Sequence, residues 1–199
     1  NKMIAMLCVH VDDILVISDG GVVSVAVVKA LHERWPFGTW ESVSSRPQGS
    51  EYCGKTIRVV AGPKGLEARV GQKDYSLGRV NTIPVSQEKR ELTDEATAVE
   101  KAEFKSAVGS FHWLATQSRP DINVYSNMLQ KCQAGTMLAD VKEANRLTRE
   151  IAQTVEVDVR VIPMSGEFAV CLWSDSALYN AWAEPIEDDI ALKNERAQG

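Results

Sequence analysis

Residues 3–19 read MIAMLCVHVDDILVISD, and the fold turns on how this stretch is read. Met3–Val9 and Ile14–Ile17 are each about strand length and nearly continuously apolar, which predicts two buried strands of a hairpin. The polar break between them holds two adjacent acids, Asp12 and Asp13. Charges are rarely buried without a partner, and neighbouring carboxylates repel unless water or a cation offsets them. Two readings of the pair follow. Asp is a turn former through its side-chain contacts with nearby amides, and a hard divalent cation such as Mg²⁺ is commonly held by one or two carboxylates together with substrate phosphates.

Working outward, Asp19-Gly20-Gly21 ends the hairpin, and Val22–Arg34 has a helical pattern stopped by Trp35-Pro36-Phe37-Gly38. Residues 39–50 are rich in Ser, Gly and Pro and read as loop, while Tyr52–Val60 and Leu66–Val70 read as strands joined through Ala61-Gly62-Pro63-Lys64-Gly65. Tyr75–Val80 starts a short helix broken before Pro84, and the polar residues 84–96 are the expected internal boundary. Thr97 and Glu100 form a capping-box pattern ahead of a helix through Gln117, with Phe104, Val108, Phe111 and Leu114 or Ala115 on one face. Pro120 suits the first turn of a helix to about Cys132. A third helix, about Leu138 to Thr154, aligns Val141, Ala144, Leu147 and Ile151. Val155–Ile162 and Glu167–Trp173, with Pro163–Gly166 as their turn, then read as strands of a new sheet. The class is α+β, in three parts: 1–83, 84–154 and 155–199.

At 199 residues, 44% hydrophobic and 25% charged, the composition is that of an ordinary globular chain. No secretory signal is visible and no apolar run approaches the ~18 residues of a membrane span, so an intracellular protein that is neither secreted nor membrane-bound is expected. Cys8, Cys53, Cys132 and Cys171 are far apart and form no C-x-x-C pair, so they read as reduced, mostly buried thiols rather than a zinc site or disulfide framework. Asn1 leads almost at once into a buried-strand pattern, which predicts a segment of a longer polyprotein or a truncated gene copy.

The net charge of −5 weighs against a nucleic-acid partner, but the charge is unevenly spread. Between Lys55 and Arg90 the basic residues outnumber the acids, with Lys55, Arg58, Lys64, Arg69 and Lys73 the candidates for following a phosphate backbone. The acids gather near the C-terminus, at Glu184, Glu187, Asp188, Asp189 and Glu195. Such a strip also serves as a plain solvated face.

The segment around Asp12 and Asp13 resembles the YVDD box of copia-type retrotransposon reverse transcriptases. GLEARVGQKDYSLGRV at 65–80 is similar to the strand, Gln, Tyr and helix that follow the palm in that family. EFKSAVGSFHWLATQSRPDI at 103–122 is similar to its signature of Val-Gly-Ser, an aromatic and Leu, then Arg-Pro-Asp-Ile. The resemblance implies the C-terminal part of a right-hand polymerase palm, a helical thumb and connection, and the first strands of a ribonuclease H-like domain. It further implies RNA-directed DNA polymerisation with Mg²⁺ or Mn²⁺ on an RNA template and DNA primer, using deoxynucleoside triphosphates, in a cytoplasmic particle or the nucleus. Asp12 and Asp13 would be the catalytic metal ligands, and Asp175, in Ser174-Asp175-Ser176, the first ribonuclease H carboxylate. The chain departs from the family in three places. His10 stands where an aromatic is usual, Leu178-Tyr179-Asn180 breaks the ribonuclease H pattern, and the family's first catalytic aspartate lies on a palm strand upstream of these residues. An incomplete metal site, inactive in isolation, is the expectation.

Two other readings compete. One is a degenerate, non-catalytic remnant that binds nucleic acid. The other is an iron oxygenase with two His and one carboxylate, drawn from His10-Val11-Asp12 and His112 with Arg119; it requires a double-sheet barrel, whereas His112 sits in a stretch with helical periodicity.

Overall fold

The stretch that opens the chain folds as an antiparallel hairpin of β1 (Ala5–His10) and β2 (Asp13–Ser18), registered from Ala5 opposite Ser18 to His10 opposite Asp13. The structure, a computed structural model, describes residues 4–11, 13–35, 38, 40–86 and 89–162. These residues belong to one compact unit, Asn1–Met164. The strand predicted at Glu167–Trp173 and the Ser174-Asp175-Ser176 segment lie outside the described residues, as does Asp12.

After the hairpin, the Asp19 carboxylate accepts the Gly21 N–H at 2.9 Å and the Ser24 hydroxyl at 3.0 Å. Those two bonds hold its pKa below the usual value, and they open α1 (Val22–Arg34) at the predicted residues. In α1 only Ser24 is buried, while Val22, Val23, Val25 and Val27 are exposed.

A second, fully antiparallel sheet follows in the order β3 (Ser50–Tyr52), β4 (Lys55–Gly62), β5 (Gly65–Gly71), β6 (Val159–Val161). Two expectations are corrected here. The strand predicted over Tyr52–Val60 is broken by the two-residue turn Cys53-Gly54, with φ of 50° and 68°. A pair of positive φ angles is what a tight hairpin loop requires, but Cys is not a residue that advertises it. The strand predicted over Val155–Ile162 forms only over Val159–Val161, and this strand, β6, opens no new sheet but pairs with β5, Val70 opposite Val159 and Ala68 opposite Val161. Alternation of Val159, Arg160 and Val161 marks a strand in the sequence but leaves its partner unspecified.

Between β5 and β6 run α2 (Lys73–Arg79), α3 (Ala98–Gln117), α4 (Asn123–Lys131) and α5 (Leu138–Gln153). The capping box of α3 forms as predicted, with the Glu100 N–H donating to Thr97 Oγ1 at 3.2 Å and the Thr97 N–H to Glu100 Oε2 at 2.8 Å. Phe104, Val108, Phe111 and Leu114 of α3 are fully buried in one cluster with Val141, Ala144, Leu147 and Ile151 of α5. Pro120–Ile122 forms a 3-10 turn, a tighter start to α4 than the sequence predicts.

The polar residues 84–96, read as an internal boundary, are fastened to this helical core where they are described. Asn145 of α5 accepts the Ile83 N–H at 2.6 Å and donates to its carbonyl at 2.9 Å. Arg90 donates to both oxygens of Glu100 at 2.9 Å. The buried Ala96 gives its N–H to the Thr136 carbonyl at 2.9 Å. The chain is thus an α+β fold of antiparallel sheets and packed helices. Among the described residues no helix is long and apolar enough to cross a membrane.

Candidate active site

His10 pairs with Asp13, so the β1–β2 hairpin turns immediately after His10, through Val11. Val11 has φ 51°. Positive φ is costly for a β-branched residue, roughly 1–3 kcal/mol, and such strain concentrates where a local geometry must be held. Asp13 is therefore the first residue of a strand rather than part of the loop, and its side chain is exposed.

The Asp13 carboxylate meets the second sheet. Its Oδ2 accepts the backbone N–H of Cys53 at 3.3 Å, so the tight turn between β3 and β4 lies beside the acidic turn. Tyr52 belongs to the same group of side chains. Burial, a hydrogen bond with the Cys53 thiol and the negative charges possible at Cys53, Cys8 and Asp13 all push its phenol pKa up. From this point an open cleft of about 900 Å³ extends between β2 and the sheet, lined by Asp13, Val16, Trp40, Tyr52, Ile57 and Val59 among others. His32 of α1 stacks against Trp40 with ring centroids 4.4 Å apart.

The β3–β4 turn is in turn braced against the end of α3. Gln72, buried, donates from Nε2 to the Gly54 carbonyl at 3.3 Å and accepts the Ser118 hydroxyl at 2.8 Å. Lys55 donates to Gln117 at 2.7 Å and lies 5.6 Å from the centroid of the Trp113 ring. Arg119 is buried, bonds Asp121 through two nitrogens at 2.8 and 2.9 Å, and also donates to the Thr154 carbonyl and hydroxyl at the end of α5. The Ser118-Arg119-Pro120-Asp121 segment thus joins helices and also ties the helical core to the acidic end of the cleft. The family resemblance marks Gln72, the Gln of the 65–80 stretch, but nothing in the sequence pointed to this bridging role.

The predicted basic strip is divided. Lys55 stands at the α3 end of β4, and Lys64 is exposed in the turn between β4 and β5. Lys73 opens α2 and pairs with Glu156. Arg58 and Arg69 are cross-strand partners on one sheet face, where Arg58 pairs with Asp158. That face also holds Arg160, directly opposite Arg69, which the sequence reading missed because only the β5–β6 pairing brings it there.

His10 is exposed beside Asp13, His112 is exposed on α3, and Arg119 is committed to Asp121 and Thr154. Among the described residues no cluster of three His, Cys, Asp or Glu side chains is set to hold a metal. Asp12 and Asp175 lie outside those residues. Compared with protein-family models, curated proteins and solved structures, the chain matches none.

Proposed function

We propose that the chain is a palm-to-thumb segment of a copia-type reverse transcriptase, whose acidic turn serves metal-dependent nucleotidyl transfer. The observation that carries this reading is an exposed aspartate, Asp13, at the start of a strand beside the strained backbone of Val11, opening on a cleft of about 900 Å³. A plain turn former would bond its own neighbouring amides. Asp13 instead bonds an amide of another sheet, through one carboxylate oxygen.

The donor set suits a hard cation, since carboxylate oxygens are the ligands Mg²⁺ or Mn²⁺ prefers. Asp12 and Asp13 would hold it. When bound, a metal pair supplies activation of the primer 3′-hydroxyl and neutralises the phosphates of the incoming deoxynucleoside triphosphate. The Cys53 N–H would orient the Asp13 carboxylate. Lys55, beside Trp113, would offer a cation and a ring to the nucleic acid, and Lys64 and Lys73 further phosphate contacts. Template pairing, rather than protein contacts, would read the sequence, because A-form duplexes are gripped by shape and backbone.

The test on this chain is Mn²⁺-induced line broadening of backbone amides. Broadening should centre on His10–Asp13 and on Cys53, and should vanish in the Asp12→Asn, Asp13→Asn double variant. Broadening centred elsewhere would refute the site. In a polypeptide that also holds the palm strand expected to carry the third carboxylate, RNA-templated primer extension should occur and Asp12→Asn should abolish it.

A further inference from the structure

On the sheet face turned away from the cleft, the register sets Arg58, Arg69 and Arg160 side by side across β4, β5 and β6. Side chains directly opposite in a sheet share a face, and like charges so placed destabilise it. Two carboxylates partly offset the row. Glu67 is bonded by Arg160 Nη2 at 2.9 Å, and Asp158 is bonded by Arg58.

Both acids sit at the bottom of the row. The Glu67 side chain is 3% exposed and that of Asp158 is 7%, against 32%, 39% and 52% for Arg58, Arg69 and Arg160. Glycines make the room for this. A Cβ at Gly62 would collide with the Glu67 carboxylate, and one at Gly71 with that of Asp158. The acids therefore lie flat on the backbone and the guanidiniums stand outward.

The middle arginine distinguishes a simple internal clamp from a binding surface. Two acids serve two arginines, Arg58 and Arg160, while Arg69 only approaches Glu67 at 3.9 Å. Its Nε is buried and makes no hydrogen bond among the described residues. A buried unsatisfied donor, flanked by two like charges about one strand spacing away, is costly to the free protein. An anion laid along the row would not reach that Nε, but it would meet the exposed part of the Arg69 side chain, 39% accessible, and offset the repulsion with charge-assisted bonds to the planar guanidinium fork.

The geometry points to this arginine row as a second nucleic-acid surface, independent of the acidic turn, that takes successive phosphates of one backbone. Three guanidiniums at strand spacing span roughly 10 Å, too long for a single phosphate group. The substrate class rests on the function proposed above, but the surface does not need its chemistry.

Fluorescence anisotropy of the full chain with a labelled RNA–DNA hybrid, in EDTA so that no divalent metal contributes, tests the row separately from the metal site. Arg69→Gln should weaken binding about tenfold at low salt and lower the slope of log affinity against log salt by about one. Its melting temperature should be little changed or higher, since the variant relieves repulsion from Arg58 and Arg160 at the loss of only a long, 3.9 Å ion pair with Glu67. A merely structural arginine would give the opposite pattern, with stability lost and binding unchanged. Three results would overturn the proposal: no hybrid binding by the wild type at low salt, Arg69→Gln binding like the wild type while only Lys55→Ala loses affinity, or an effect of Arg69→Gln confined to phosphatidylserine vesicles.

Discussion

In α3 and α5 the large apolar side chains meet one another, whereas in β1, β2 and α1 many of them meet solvent. Phe104, Val108, Phe111 and Leu114 are 0% exposed, while Val9 is 61% and Val23 is 62% exposed. The exposed region is the more apolar of the two in sequence, so hydrophobic content alone does not tell which part of a chain forms a core. Periodicity matters more. α5 concentrates its apolar residues on the face that packs, with charges opposite; α3 sets its large buried side chains, Phe104, Val108, Phe111 and Leu114, at helical spacing; α1 is a run of valines with one buried residue, a serine. The acidic turn is thus carried on the thinly packed region and braced by the well-packed one through Gln72 and Ser118.

The comparison can be broken most forcefully at Phe111. Phe111→Ala should cost about 3–5 kcal/mol in denaturant unfolding, by leaving a cavity in the helical core. Val9→Ala and Val23→Ala should each change stability by less than about 0.5 kcal/mol. A large loss at Val9 would mean that the hairpin is covered in solution and that the contrast is false.

Asn145→Ala should be the next most costly, about 2 kcal/mol, because it orphans both the N–H and the carbonyl of Ile83 in a buried setting. Calorimetry of the variant checks this.

A pH titration gives a smaller, directional effect. Burial tends to raise the pKa of Glu100, but the Thr97 N–H, Arg90 and the Ser86 N–H outweigh it and hold it down at about 2. A depressed carboxyl stabilises the fold above its ordinary range, and that stability is lost as pH falls from about 4.5 toward 2. Glu100→Gln should be less stable than wild type at neutral pH, with the gap narrowing across that acid window. A gap independent of pH would show that the ion pair with Arg90 is not its source.

Much of the architecture was legible because it is locally encoded. The bounds of α1, the Thr97–Glu100 capping box and the buried faces of α3 and α5 each depend on residues within one or two helical turns. What escaped was non-local or chemically unmarked. Cys53 adopts a left-handed backbone that its residue type does not signal, so two strands were read as one. Arg160 joins Arg58 and Arg69 only through a pairing that local sequence cannot specify. In the candidate site, the acid pair was visible at once, but Asp13 proved to begin a strand and to bond Cys53, forty residues away in sequence.

The pairing of β6 with β5 also has a kinetic meaning. Arg160 and Glu67 are neighbours in space yet 93 residues apart in sequence, so closing that edge of the sheet from an extended chain carries a large loop entropy. The helices between them are rich in local contacts, the kind that forms fast. Once they pack, the chain that must be closed is no longer a free coil. The order of events this favours is helices first and the last strand afterwards, which makes β6, with its arginine, the late-arriving piece of the fold.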